Sequence, residues 1–216
     1  MSIPPPPSRA EILDFPVHIL APDVSEPIYR ITKPEDGEGH AKDVIYFGSS
    51  GKGRFDLFAA DDRQPGNAGT CYLGTTGIAC FVEKFGDLRV IPASEVASNV
   101  LATVRPSREL RLADMCDGRV LGRFGLTAET WTSGVYLRPQ EWARALYQAS
   151  FDGILYGTRH DPAGQLRALA VFGSSSANPL VLASVEVISE ALIQHAFTEY
   201  GLVVEEPPPL TGFLGG

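Results

Sequence analysis

A glycine-rich turn, Gly48-Ser49-Ser50-Gly51-Lys52-Gly53, runs directly into Arg54-Phe55-Asp56. Glycines beside a lysine are the raw material of a phosphate cradle. Here, however, the G-x-x-G-K spacing is shorter than that of a P-loop, no Ser or Thr follows the lysine, and there is no G-x-G-x-x-G run. By itself the stretch is a flexible turn. Arg54 adds something, because a guanidinium held where a strand is expected to begin offers a planar fork that fits a phosphate. Glu83, in Thr75–Gly86 (TTGIACFVEKFG), is a carboxylate on a helix that is apolar along one side; in isolation it reads as a solvated residue beside Lys84. The third place is Thr158-Arg159-His160-Asp161, directly after the apolar run GILYG. Histidine and aspartate there suggest a Ser–His–Asp arrangement, but no G-x-S-x-G elbow precedes them, and a turn at a strand end is the better reading. His18, His40, His160 and His195 lack metal-ligand spacing. The cysteines Cys71, Cys80 and Cys116 are odd in number and form no C-x-x-C, which points to reduced thiols rather than a disulfide framework or a zinc knuckle.

Hydrophobic spacing predicts the elements that must hold these residues. Residues 1–26 contain Pro4 to Pro7 in a row, then Pro16 and Pro22, and read as an extended arm in which Ile12, Leu13, Phe15 and Ile19 suggest partial packing. Short strands are expected at Pro27–Thr32 and Val44–Phe47, a polar loop at Glu35–Lys42, and a turn at Asp61–Gly69 (DDRQPGNAG). Thr70–Leu73 is a strand leading into a helix over Thr75–Phe85, capped by Thr75 or Thr76, with Ile78, Phe81, Val82 and Phe85 facing inward. Leu88–Ile91, Val100–Val104 and Arg108–Leu112 are further strands. Pro139–Ala149 is a helix with Trp142, Leu146 and Ala149 on its apolar stripe. Strands follow at Gly153–Thr158, Leu166–Phe172 and Leu180–Val187, then a helix over Ser189–Tyr200 ended by Gly201, and an edge strand at Leu202–Glu205. Strands outnumber helices without alternating strictly with them, so the expected class is α+β in a single domain.

Composition narrows the function classes. With 18 basic and 26 acidic residues the net charge is −8, which argues against a general nucleic-acid binder but leaves room for an anionic small molecule held by a few arginines. There is no basic segment followed by an apolar run at the start, and no apolar stretch of the ~18 residues needed to cross a bilayer. A cytoplasmic protein is expected.

The order of the motifs carries more than any one of them. Tyr29-Arg30 comes first, then Gly53-Arg54-Phe55-Asp56, then Cys71-Tyr72-Leu73-Gly74 running to Glu83. Glu141-Trp142-Ala143 follows, then Asp152-Gly153-Ile154-Leu155-Tyr156-Gly157-Thr158-Arg159, and a strand Ala168–Phe172. This series resembles the RES domain from about residue 27 to 187. The family is named for an arginine, a glutamate and a serine; the first two carry over to Arg54 and Glu83. The third position holds Thr158, a departure that keeps the hydroxyl but adds a methyl and stiffens χ1.

The resemblance implies a fold like that of ADP-ribosyltransferase toxins, with mixed and antiparallel strands around an NAD⁺-binding cleft and flanking helices. It implies a division into an arm (1–26), a catalytic domain (27–205) and a proline- and glycine-rich tail (206–216). It also implies an enzyme that degrades NAD⁺ as a phosphorylase or glycohydrolase, with mono-ADP-ribosylation of a protein and a non-catalytic binding module as alternatives. Breaking the nicotinamide–ribose bond passes through an oxocarbenium-like state, so Glu83 is expected beside the ribose. Arg30 and Arg54 are expected on phosphates, Tyr72 and Tyr29 against the nicotinamide ring, and Thr158 on ribose or phosphate. No cofactor or metal is implied; NAD⁺ is the substrate and inorganic phosphate the co-substrate. The expected protein partner is an Xre-type, helix-turn-helix antitoxin, with no contact to nucleic acid or membrane.

Overall fold

The computed structural model describes residues 3–22, 26–36, 38–57 and 68–206. Most of the expected Asp61–Gly69 turn and nearly all of the C-terminal tail lie outside them. Strands β1 (Val17–Leu20), β2 (Ile28–Thr32), β3 (Gly69–Gly74), β5 (Val100–Pro106), β6 (Leu110–Asp114), β7 (Gly153–Gly157), β8 (Arg167–Gly173) and β9 (Leu180–Val187) form one mixed sheet in the order β1-β6-β7-β8-β3-β2-β5-β9. β4 (Val90–Pro92) pairs in parallel with β10 (Val203–Glu205) in a separate ribbon. The helices are α1 (Arg9–Ile12), α2 (Gly77–Phe85), α3 (Ala93–Ala97), α4 (Arg119–Phe124), α5 (Glu129–Thr132), α6 (Leu137–Gln148) and α7 (Glu190–Tyr200). The molecule is a single α+β domain, as its pattern of elements predicts.

One feature of the sheet positions everything that follows. β3 makes six residue pairs with β8, and β2 makes five with β5, but β2 and β3 meet only at Tyr29 and Gly74. Pairing stops there, and the sheet divides into β1-β6-β7-β8-β3 and β2-β5-β9 halves. Helix α2, which follows β3 directly, packs against this seam. Its N-cap Thr76 accepts the Ala79 N–H, and Ile78, Phe81, Val82 and Phe85 are buried as their spacing predicts. With Ile91, Val96, Leu166 and Ala196 they make one apolar cluster.

A second cluster joins Trp142, Leu146 and Ala149 of α6 to Phe55, Ile154, Tyr156 and Phe172. The N-terminal residues belong to it. Ser8 and Glu11 form a capping box on α1, Ile12 and Phe15 are buried, and the Trp142 indole donates to the Pro4 carbonyl at 2.8 Å. Beyond Phe15 the chain forms β1, antiparallel to β6, where only an extended arm was expected; Leu13 and Ile19 are exposed.

Val44–Phe47 is also different from its expectation. Val44 and Ile45 are buried against the third cluster, on β-residues such as Cys71, Leu110 and Leu169, yet among the described residues the segment pairs with no strand and only the adjoining Gly48 bridges to Thr70. Its apolar run serves as a plug and not as a ladder.

Candidate active site

Arg54 sits in a turn, not at the start of a strand, and that turn is tied down from several sides. The Asp56 carboxylate, 2% exposed, accepts from the Tyr72 hydroxyl (3.0 Å), the Gly53 N–H (3.0 Å) and the Ser50 hydroxyl (3.3 Å). The Tyr72 oxygen in turn accepts the Phe55 N–H at 2.8 Å. From α6, the Gln140 amide donates to the carbonyls of both Gly51 and Gly53 at 2.9 Å. A side chain at position 53 would overlap the Asp56 carboxylate and the Tyr72 hydroxyl, so only glycine fits. The glycine-rich stretch is therefore a braced platform rather than a flexible turn.

That platform aims Arg54 at Glu83. Nη1 lies 3.4 Å from Glu83 Oε1, the arginine side chain being 6% exposed and the glutamate 28%. The other carboxylate oxygen accepts the Arg159 backbone N–H at 3.0 Å. Glu83 thus pairs across the molecule and not with its neighbour Lys84. The ring of Tyr136 lies 5.2 Å from the Arg54 guanidinium carbon, and Arg54 Nε is buried without a partner among the described residues.

Two adjoining cavities, of about 160 and 190 Å³, share Tyr72, Glu83 and Tyr156. The first opens at the seam of the sheet, between Ile31 and Leu73, with Cys80 and Lys84 of α2 beside Glu83. The second runs over Lys52, Gly53, Arg54 and Tyr136. Burial, followed by the negative charge of Asp56, raises the Tyr72 phenol well above its usual range; burial, followed by Glu83, does the same for Tyr156. Burial likewise pushes the Cys80 thiol up to about 12. At neutral pH all three are neutral donors around the Arg54–Glu83 ion pair, and Lys52 and Lys84 are the other charged groups of the lining.

The structure therefore brings Arg54, Tyr72 and Glu83 together and leaves the other expected residues apart. Arg30 is buried outside the lining of both cavities. Its guanidinium stacks 4.0 Å over the Tyr46 ring and donates to the Tyr46 carbonyl (3.2 Å) and the Cys71 sulfur (2.6 Å), bracing the divided sheet. The Tyr29 side chain packs in the α2 cluster, while its carbonyl accepts the Cys80 thiol at 2.9 Å. Thr158 is 3% exposed with an unpartnered hydroxyl, and it borders a different cavity on the far side of the Gly157–Arg159 stretch. The turn expected at Thr158–Asp161 is present, with His160 3.4 Å from Asp87.

Sequence points to Lys52 only as a member of the glycine-rich turn, and it does not single out Tyr156, Tyr136 or Gln140. Tyr156 stands within the Asp152–Arg159 motif, so its signal was present; nothing in the spacing of residues 136 or 140 relates them to residue 54.

The sequence matches the RES domain over residues 27–190. No curated protein matches it at a significant level. Among solved structures, a chain of the M. tuberculosis MbcT–MbcA toxin–antitoxin complex shares its fold, with a TM-score of 0.60 and 19% identity over 87% of this chain and 94% of that one.

Proposed function

This chain belongs to the RES domain family, and from that premise we propose that it cleaves the nicotinamide–ribose bond of NAD⁺ and serves as the toxin of a toxin–antitoxin pair. The observation that carries the reading is the Arg54–Glu83 pair held at 3.4 Å beside the Tyr72 and Tyr156 rings. A carboxylate held this way offsets the positive charge that grows on the ribose as the glycosidic bond stretches. Its two restraints, Arg54 and the Arg159 N–H, keep it from rotating away when nicotinamide leaves. Nicotinamide takes the bonding pair and departs neutral. A phosphate or water oxygen then bonds the anomeric carbon and releases its proton to solvent. The aromatic faces suit a planar leaving group, and Arg54 suits an anionic part of the dinucleotide.

The partner reading rests on the shared fold with a chain from a toxin–antitoxin complex. An Xre-type antitoxin is expected to cover the Glu83 cavity, and co-purification of the two proteins with loss of turnover is its test. No helix among the described residues is long and apolar enough to cross a membrane.

The test of the activity is NAD⁺ consumption by purified protein, with and without inorganic phosphate, with the products resolved by mass. Glu83→Ala is expected to lower turnover about 10²–10³-fold, the usual loss of one electrostatic stabiliser, with circular dichroism unchanged. An unaffected rate in this variant would overturn the assignment. Radiolabel from adenylate-labelled NAD⁺ that stays on protein would instead identify a transferase.

A further inference from the structure

The cavity that Thr158 borders is separate from the Glu83 cavity and, at about 390 Å³, larger than either of its two compartments. The Gly157–Arg159 stretch links the two, since the Arg159 N–H is spent on Glu83 while Gly157, Thr158 and Arg159 line the second cavity. The polar groups around this second cavity have one chemical character. Arg167 uses Nη1 on the Gly164 and Leu166 carbonyls, at 2.6 and 3.1 Å, and makes no hydrogen bond through Nε or Nη2 within the described residues. Arg159 has only a distant ion pair, 3.9 Å from the exposed Asp87. The Trp131 indole N–H makes no hydrogen bond among the described residues. It lies against Gly157, where an added side-chain carbon would come within 2.6 Å of it. The Thr158 hydroxyl is buried and without a partner among the described residues. Burial pushes the Cys116 thiol up to about 11, so it too keeps its proton.

Against these stands one carboxylate, Asp161, and it is occupied. Its oxygens accept the N–H groups of Ala163 (3.0 Å), Gln165 (2.5 Å) and Leu166 (2.6 Å), closing the loop that delivers Arg167. The free polar groups of the cavity can thus all donate, and two of them are permanently cationic. A ligand that accepts hydrogen bonds without giving them, and that carries negative charge, satisfies such a lining.

We propose that this cavity is an oxyanion site for a phosphate group, held by Arg159 and Arg167 with the Trp131 indole N–H. Two sources share that chemistry: free inorganic phosphate and a phosphate of the dinucleotide. A role as the store from which the acceptor reaches the ribose rests on the NAD⁺ reading, whereas phosphate binding itself does not.

The test uses inorganic phosphate as the probe, in protein without NAD⁺, at constant ionic strength. Trp131 reports on the cavity by fluorescence, because the chain's other tryptophan, Trp142, is fully buried and bonded to Pro4. Calorimetry supplies a second readout. Saturable binding is expected in the wild type, weakened at least tenfold in Arg167→Gln and in Arg159→Gln. It should be retained in Arg54→Gln, which stands on the other side of Gly157–Arg159. Trp131→Phe should abolish the fluorescence change. Because Arg167 also braces the 161–166 loop, the paired Arg159→Gln variant keeps a loss from being read as misfolding, and circular dichroism checks both. No binding to the wild type would overturn the proposal, as would loss in Arg54→Gln with both other variants unaffected. In the Glu83→Ala protein, NAD⁺ that displaces phosphate assigns the site to the dinucleotide, and simultaneous binding assigns it to free phosphate; either supports the oxyanion site. A protein that binds phosphate yet never consumes NAD⁺ would remove the activity reading and leave the site standing.

Discussion

Two residues that touch no expected ligand decide where Arg54 points. Gln140 and Asp56 together make five hydrogen bonds to the turn or to Tyr72, and truncating either would leave several half-buried partners unpaired. Gln140→Leu should cost about 1–3 kcal/mol of stability, the net worth of two hydrogen bonds to half-buried carbonyls, measurable by urea denaturation. It should also reduce turnover more than it weakens the fold, because Arg54 loses its setting while Glu83 keeps the Arg159 N–H. Tyr72→Phe is expected to cost a similar amount by unpairing Asp56 and the Phe55 N–H. The sequence made Arg54 and Glu83 visible through residue type and order. It could not make Gln140 visible, because a glutamine on a helix has no periodic signature that relates it to carbonyls nearly ninety residues earlier. Arg30 shows the opposite problem. Its type fitted a phosphate ligand, but its strand position turns it toward Tyr46 and Cys71.

At the scale of elements, α2 is the most informative. Cys80 and Glu83 lie one turn apart and both face the cavity, while Ile78, Phe81, Val82 and Phe85 anchor the opposite side. The buried Cys80 thiol gives the helix a pH signature. Its ordinary value is 9.0 and its folded value about 12, so below pH 9 both folded and unfolded chains keep the proton. Between pH 9 and 12 only the unfolded chain ionises, and stability falls as pH rises, by up to about 1.4 kcal/mol per pH unit. Melting temperatures from pH 8 to 11 should therefore decline, and Cys80→Ala should flatten part of that decline. Long periodic segments such as α2, α6 and α7 were legible in sequence. β1 was not, since Val17 and Ile19 are exposed and its partner β6 lies about ninety residues further on. Val44–Phe47 misled for a related reason: an apolar run looks the same whether it pairs in a sheet or fills a gap above one.

For the molecule as a whole, the span that matches the RES domain is not the whole folding unit. Residues before 27 supply Ile12, Phe15 and β1, and residues after 190 supply Ala196. Phe15→Ala is expected to cost about 3–5 kcal/mol, read as a shifted urea midpoint, even though Phe15 lies outside the matched span and away from Glu83. The class of fold followed from the balance of strands and helices; the division of the sheet did not, because the extent of strand pairing is a tertiary property. That division has a mechanical consequence. With a single backbone rung joining β2 to β3, the two half-sheets are held together mainly by side chains, the Arg30 bond to Cys71 and the packing of α2 across both strands. A molecule lodged between Ile31 and Leu73 would act as a wedge and a glue at once, stiffening the join it occupies. Amide hydrogens of Arg30 to Thr32 and of Cys71 to Leu73 should then exchange with solvent deuterium more slowly when the cavity is filled, even though no new backbone pair forms.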